Sequence, residues 1–388
     1  MAIHSRRSFL GRTGLAVAPA VVGGSWALPA AADTGTPRGE LDKYLDQLAA
    51  EDRFSGTVLV IRDGRTVLSR SIGFADKKNG VRNRADTRYC LASVTKMFTA
   101  TAIAQLAQLA QRGSLSLVDT IGKYLSGFQA EVADKVTIHN LLTHTSGLGD
   151  YMQLAGYFEE SSTWTTPRQM MDGTLRFIRT ESLAFAPGTA SKYSNSGFHV
   201  LGSIVEKISG QSYYDYIRKH VFRPAGMTSA DFTLLSRWRT DRRFAHPYPT
   251  DESGKRYDAL DGNMFGVIGS PAGNAFATAP DLVRFVKALN DGTLLSPAWR
   301  DVFVTPKFAM PTLPAKPGLP EVINFVGYGA DSAIINGALI TGHLGGAPGV
   351  STSAEWYPSR GWTAVHLGNY DPTPGANVNQ ELRQVLTS

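Results

Sequence analysis

The sequence predicts an α/β fold: one antiparallel sheet built from both ends of the chain and flanked by helices, with a mainly helical subdomain beside it. Three observations predict this. Two apolar, β-branched runs, 57–61 and 66–71, are separated by Asp63-Gly64, a strong hairpin signal. Strand-like runs return late in the chain, at 330–340, 352–356 and 363–367. Between these ends, residues 114–290 show mainly helical periodicity and long loops. Two sets of strands that must bury their apolar faces assemble most simply as one sheet covered by helices. A cleft between the sheet and the helical region is then the natural place for a ligand.

The elements follow in order. Residues 40–51 read as a first helix, with Leu41, Tyr44, Leu45 and Leu48 on one face. The polar stretch 75–87 reads as loop. Residues 93–112 form a long helix with an apolar stripe (Val94, Met97, Phe98, Leu106, Leu109) and Gly113 as its stop. Residues 198–209 and 213–220 are helical, with Gly210 between them. Thr278-Ala279-Pro280-Asp281 combines a cap residue, an early proline and an acid, and opens a helix over 280–289. The proline-rich stretch 311–320 is loop, and a closing helix spans about 376–387.

Composition narrows the function classes. The chain has 388 residues, 43% hydrophobic and 19% charged, enough apolar content for a sizeable core. That balance excludes wholesale disorder and a polytopic membrane protein. The only cysteine, Cys90, excludes a disulfide framework and a cysteine-built metal site. It lies in an apolar run and reads as a small buried hydrophobe. The net charge is +6, of which Arg6, Arg7 and Arg12 sit in residues 1–32, so the remainder carries only +3. A surplus that small is no nucleic-acid footprint.

Residues 1–32 read as an export address. Ser5-Arg6-Arg7-Ser8-Phe9-Leu10 is a twin-arginine pattern, followed by a weakly apolar stretch and by Ala30-Ala31-Ala32, which suits a signal peptidase. The apolar stretch is broken by Pro19 and Gly23-Gly24 and is too interrupted for a membrane anchor. The expectation is a secreted or periplasmic protein, carried by the twin-arginine export machinery and free of the membrane after cleavage.

Ser93-Val94-Thr95-Lys96 is the only Ser-x-x-Lys in the chain. On a helix, residues three apart share a face, so the lysine amine reaches the serine hydroxyl. Serine needs a base to act as a nucleophile, and a lysine desolvated by burial can provide one. Alone, the pattern more often describes a capping serine and a solvated lysine. Gly-x-Ser-x-Gly is absent, as are a phosphate-binding loop and a histidine pair at metal-ligand helical spacing. No cofactor or metal is expected.

Context sharpens this reading. Leu91-Ala92-Ser93-Val94-Thr95-Lys96, Leu141-Leu142-Thr143-His144-Thr145-Ser146-Gly147-Leu148, Pro187-Gly188, Tyr193-Ser194-Asn195 and His343-Leu344-Gly345-Gly346 together resemble the serine β-lactamase and penicillin-binding-protein superfamily. The similarity runs from about residue 38 onward. It points to the branch with class C β-lactamases, D-Ala-D-Ala carboxypeptidases, D-aminopeptidases and related esterases. The resemblance implies a β-lactamase/transpeptidase-like fold and an acyl-enzyme mechanism. It implies Ser93 as nucleophile, Lys96 as its base, and Tyr193 as the group that activates water and protonates the leaving group. It also implies Asn195, His343 and Gly345 in substrate binding, with the backbone N–H groups of Ser93 and Gly346 as oxyanion hole. His343 stands where many relatives carry lysine, and an ordinary histidine there would titrate near neutral pH. His144 belongs to a structural signature and is not expected to serve Ser146 as a base. Asp119 and Glu206 read as surface or packing charges.

One departure bears on substrate. Relatives carry a hydroxyl residue at the second position of the third motif, where this chain has Leu344. β-Lactams and D-Ala peptides present a carboxylate that such a hydroxyl grips, at about 1.5–3 kcal/mol for a charge-assisted bond. The balance therefore moves toward esters and amides without that group, unless an arginine such as Arg284 compensates. The expected function is an exported serine hydrolase of an amide or ester bond in a small molecule or cell-wall peptide. Esterase, D-aminopeptidase or acyltransferase action on the same fold, and a non-catalytic sensor of penicillin or peptidoglycan, are the alternatives. Residues 1–32 form the signal and 33–388 one catalytic domain, with 38–113 and 291–388 as its α/β part and 114–290 as its helical part.

Overall fold

Helix α1 (Pro37–Ala50) begins where Thr36 accepts a hydrogen bond from Gly39 N and Pro37 takes the first helical position. Leu41, Leu45 and Leu48 are buried, the face expected from their spacing. The computed structural model describes residues 36–109, 115–262, 264–311, 321–373 and 376–388. The expected signal at 1–32, the Gly113 stop and most of the 311–320 loop lie outside them.

The sheet has eight strands: β1 (Gly56–Arg62), β2 (Arg65–Ile72), β3 (Phe308–Ala309), β4 (Val322–Val326), β5 (Asp331–Ile335), β6 (Ala338–Ala347), β7 (Val350–Tyr357) and β8 (Trp362–Gly368). Their spatial order is β2-β1-β8-β7-β6-β5-β4-β3. The paired neighbours are antiparallel. The two ends of the chain meet at β1 and β8, in the register Gly56↔Gly368 and Arg62↔Trp362. Asp63 and Gly64 both have positive φ, 47° and 78°, the tight turn their pairing predicts. The expected strand at 330–340 is two strands, β5 and β6, folded at Asn336-Gly337, where φ is 49° and 72°. β3 and β4 were not anticipated: β3 has only two residues and β4 is mostly half-buried, so neither shows a clean alternation.

Both faces of the sheet are covered. Val58, Val60, Trp362 and Ala364 pack with Leu41, Leu45 and Leu48 of α1 and with Leu382 and Leu386 of the closing helix. Leu59, Val365 and Leu367 face the larger core on the other side. Central strands therefore read as continuous apolar runs although the sheet is antiparallel.

The expected helix at 93–112 is split. Ala92–Thr95 is a 3₁₀ turn, and the α-helix proper, α2, is Lys96–Leu109. α2 is buried nearly all round, as a helix enclosed by a sheet and other helices must be. It packs on α3 (Asn195–Ser209) from the middle of the chain. α4 (Ala279–Asn290) opens with the predicted Thr278 and Asp281 capping box, worth about 1 kcal/mol. α5 (Val378–Thr387) closes the chain against β8 and α1. Among the described residues, no helix is long and apolar enough to cross a membrane.

Candidate active site

Ser93 lies in the 3₁₀ turn that leads into α2, just after a strained residue. Ala92 has φ 44°, a left-handed backbone that costs an alanine roughly 1–2 kcal/mol. Contacts on both sides hold it: Asn274 N donates to Ala92 O at 3.1 Å, and Leu91 N donates to Ala275 O at 2.8 Å. Thr352 of β7 donates its hydroxyl to Leu91 O at 2.9 Å. The turn that presents Ser93 is thus clamped between the sheet and the 272–275 segment.

The first turn of α2 carries Lys96, which has no exposed surface. Its Nζ donates to Ala272 O at 2.6 Å, Asn195 Oδ1 at 2.7 Å and Ser93 Oγ at 3.2 Å. No carboxylate of the described residues lies within ion-pair distance of it. Burial pushes Lys96 down to about 7, against the opposing pull of Asp150 and Asp331. The amine is therefore poised to exchange a proton with the serine at neutral pH.

Tyr193 precedes α3 and donates its hydroxyl to Ser93 Oγ at 2.6 Å. The Lys96 ammonium sits 4.7 Å from the centroid of its ring. Burial raises the phenol well above its ordinary range, so it stays protonated. Two proton-carrying groups therefore converge on one hydroxyl, one from three residues along the chain and the other from 100 residues away.

The Thr-His-Thr-Ser-Gly run is the brace for this tyrosine. His144 has φ 56°, and its ring lies 4.5 Å from that of Tyr193. Its Nδ1 accepts from Ser194 N at 3.0 Å, and its carbonyl accepts from Lys192 N at 2.9 Å. Burial holds it well below its usual range, so it is a neutral acceptor. Thr145 O accepts from Gly188 N at 2.8 Å, tying in the Pro187-Gly188 turn. A Cβ on Gly147 would lie 2.5 Å from Phe185 O, so only glycine fits there. Ser146 Oγ accepts from Leu148 N and makes no bond to His144.

β6 runs alongside the serine. A Cβ on Gly345 would lie 2.3 Å from both Leu91 O and Thr352 Oγ1, and 3.2 Å from Ser93 N. The glycine is required for this close approach. Gly346 is exposed, with nothing within 4 Å of a Cβ placed on it. β5 pairs with β6 only as far as Gly342, so the edge of β6 at 343–347 is open on that side.

His343 departs from expectation. It is buried, its Nδ1 donates to Leu344 O, and its Nε2 is buried without a partner among the described residues. Burial and the nearby Lys96 push it down to about 3. It is a neutral imidazole wall against Tyr193, 6.4 Å between ring centroids, and does not titrate near neutral pH. Arg284 is committed to Asp281 at 2.5 Å on α4 and compensates for nothing at the serine. Cys90 is buried with its thiol pushed up to about 12 by burial, the inert hydrophobe expected. Glu206 accepts from Tyr213 N, and Asp119 accepts from Ser116 N, Lys123 and Tyr124, both structural tasks.

Sequence reasoning passed over Asp150, Ala272 O and Thr352. Their contacts with the motif residues span 45, 176 and 261 positions, and no spacing rule reports such partners.

Comparison with known proteins places the chain in a family. A family model described as Beta-lactamase matches residues 41–387. A penicillin-binding protein of Bacillus subtilis (strain 168) is 30% identical over 346 residues, 86% of this chain and 72% of the relative. The match to esterase EstB of Burkholderia gladioli is 35% identical and covers 56% of each chain. PbpX of B. subtilis is 31% identical over 271 residues, and the match spans 62% of its length. Among solved structures, a penicillin-binding protein from Bacillus halodurans superposes with a TM-score of 0.74 at 26% identity, covering 89% of this chain and 99% of that one. D-amino acid amidase from Ochrobactrum anthropi SV3 shares the fold, with a TM-score of 0.70 at 23% identity over 90% of this chain and 97% of that one.

Proposed function

The chain belongs to the β-lactamase family, as a hydrolase of that fold related to penicillin-binding proteins, esterases and D-amino acid amidases, and from that premise we propose that it is an exported serine hydrolase working through an acyl-enzyme. The observation that carries the reading is the convergence on Ser93 Oγ of the Tyr193 hydroxyl at 2.6 Å and the Lys96 amine at 3.2 Å.

Ser93 Oγ attacks the substrate carbonyl and gives its proton to the neutral Lys96 amine. The negative charge on the carbonyl oxygen is met by the backbone N–H groups of Ser93 and Gly346, each such donor worth about 10²–10³ in rate. The Tyr193 phenol protonates the departing alcohol or amine, and the Lys96 ammonium restores the phenol. Water then releases the acyl group by the reverse proton path. Asn195 keeps Lys96 in place through its Oδ1.

Leu344 supplies no hydroxyl for a substrate carboxylate, and His343 supplies no charge. Both favour esters and amides that lack a carboxylate beside the scissile bond. The Ser5-Arg6-Arg7-Ser8-Phe9-Leu10 run favours action outside the cytoplasm, on small molecules or cell-wall peptides.

A panel of p-nitrophenyl butyrate, D-phenylalaninamide, nitrocefin and an acyl-D-Ala-D-Ala peptide tests this. The expected result is a kcat/KM for the carboxylate-free ester or amide at least about tenfold above the carboxylate-bearing substrates, with all turnover lost in Ser93→Ala. Preference for nitrocefin or the D-Ala peptide overturns the substrate class. Turnover that survives in Ser93→Ala overturns the mechanism.

A further inference from the structure

The Asn195 amide is held between two opposite partners. Its Oδ1 accepts from Lys96 Nζ at 2.7 Å, and its Nδ2 donates to Asp150 Oδ2 at 2.9 Å. A carboxylate only accepts and an ammonium only donates, so these two partners leave the amide a single orientation. Asp150 is itself fixed. Its Oδ1 accepts from Met152 N at 3.0 Å, capping the turn Tyr151–Gln153. The preceding Gly149 donates its N–H to Glu181 Oε2 at 2.7 Å, and its carbonyl accepts from Ser194 Oγ at 2.8 Å. The loop that carries the carboxylate is therefore tied to the residue before Asn195 as well as to Asn195.

We propose that Asp150 is a positioning residue of this centre: it locks the Asn195 amide with Oδ1 turned toward Lys96 and so holds the Lys96 amine against Ser93. The assignment rests on the acyl-enzyme reading of Ser93 and Lys96. Asp150 acts on Lys96 in two ways, by geometry through Asn195 and by charge through space. Removing only the charge and removing the whole side chain therefore have different results.

The charged and titratable groups around the pair are few. Lys96 faces Asp150, Asp331, the neutral rings of His144 and His343, and the Tyr193 phenol. Asp150 faces Lys96, Lys192, Glu181, Tyr151, Tyr157 and Tyr193, and Asp331 faces Arg383 and Tyr193 as well as Lys96. Asp150 and Asp331 are the two groups that favour the ammonium form of Lys96. Loss of the Asp150 charge makes the ammonium less favourable, so Lys96 releases its proton at lower pH.

The test uses Asp150→Asn and Asp150→Ala in the full chain, with two readouts. One is the Lys96 titration, followed by NMR of carbon-13-labelled lysine and assigned with Lys96→Arg. The other is the pH dependence of kcat/KM for p-nitrophenyl butyrate. Both variants are expected to move the Lys96 titration and the acid limb of the profile down by about one pH unit. Asp150→Ala is expected to lower the plateau about tenfold, and Asp150→Asn, which can still accept from Asn195, by clearly less. A titration and an acid limb that stay in place in both variants overturn the proposal. So does an equal plateau loss in both that simply follows a fall in Tm. If the titration moves but hydrolysis is unaffected by Ser93→Ala, the acyl-enzyme reading fails while Asp150 stands as the residue that holds Lys96.

Discussion

A half-buried arginine and a fully buried lysine are treated in opposite ways in this molecule. Arg383 on α5 faces Glu355 of β7, whose side chain is 2% exposed, with contacts of 2.5, 3.0 and 3.2 Å, and Asn379 adds a further donor at 2.9 Å. Lys96, with no exposed surface, has a carbonyl, an amide and a hydroxyl as partners, all neutral. The arginine is neutralised where it sits and pins the closing helix to the sheet. The lysine is left without a counter-ion in contact, and burial weakens its hold on a proton. A buried charge that is paired serves the fold; one that is denied a pair is available for chemistry.

Substitutions at the two sites should therefore separate activity from stability. Lys96→Met is the most damaging to function. It should lower kcat/KM for p-nitrophenyl butyrate by about 10²–10⁴-fold, the usual contribution of a positioned base. Chemical denaturation of the same variant should show stability unchanged or raised, because a buried amine without a counter-ion is replaced by an apolar chain of similar length, which outweighs the lost bonds to Ala272 O and Asn195 Oδ1. Arg383→Met should do the reverse. It leaves Glu355 buried without its partner and costs about 3 kcal/mol of unfolding free energy, while kcat/KM falls far less than in Lys96→Met, since Arg383 reaches Lys96 only through the intervening Asp331.

A third substitution tests the contact between the sheet and the nucleophile. In Gly345→Ala the new methyl meets Leu91 O and Thr352 Oγ1, both at 2.3 Å. Relief of that overlap moves β6 away from Ser93 and costs about 1–3 kcal/mol. Acylation of Ser93 by a fluorophosphonate should slow while the Lys96 titration stays in place.

The same burial also governs the pH dependence of stability. The folded-state value of Lys96 is about 7 and the ordinary lysine value is 10.5. Between these limits the unfolded chain binds the proton and the folded chain does not. Lys96 alone thus makes stability rise with pH across that window, and its cost is greatest below it. The stability difference between Lys96→Met and the parent should shrink as pH rises from 7 to 10.5, as measured by urea unfolding.

The same contrast explains what could be read from the chain. Ser93 and Lys96 are three residues apart, and Tyr193 and Asn195 two, so short spacing reports them. The Asp63-Gly64 hairpin and the Thr278 cap are equally local, and both appear where expected. Asp150, Ala272 and Thr352 act through contacts that exist only once the chain has closed. The place of His343 beside Tyr193 follows from its motif, but its charge state does not, because that follows from burial and from Lys96. β4 eluded the pattern for the opposite reason: it is mostly half-buried and its alternation is weak.

The central claim is that the Ser93 hydroxyl carries the acyl group. The most direct measurement is the intact mass of the protein quenched during turnover of an activated ester, followed by peptide mapping of the adduct. The expected result is a single acyl group on Ser93, absent in Ser93→Ala, forming at half its maximal rate near pH 7 on the acid side. An adduct on any other residue, or one that persists in Ser93→Ala, contradicts it.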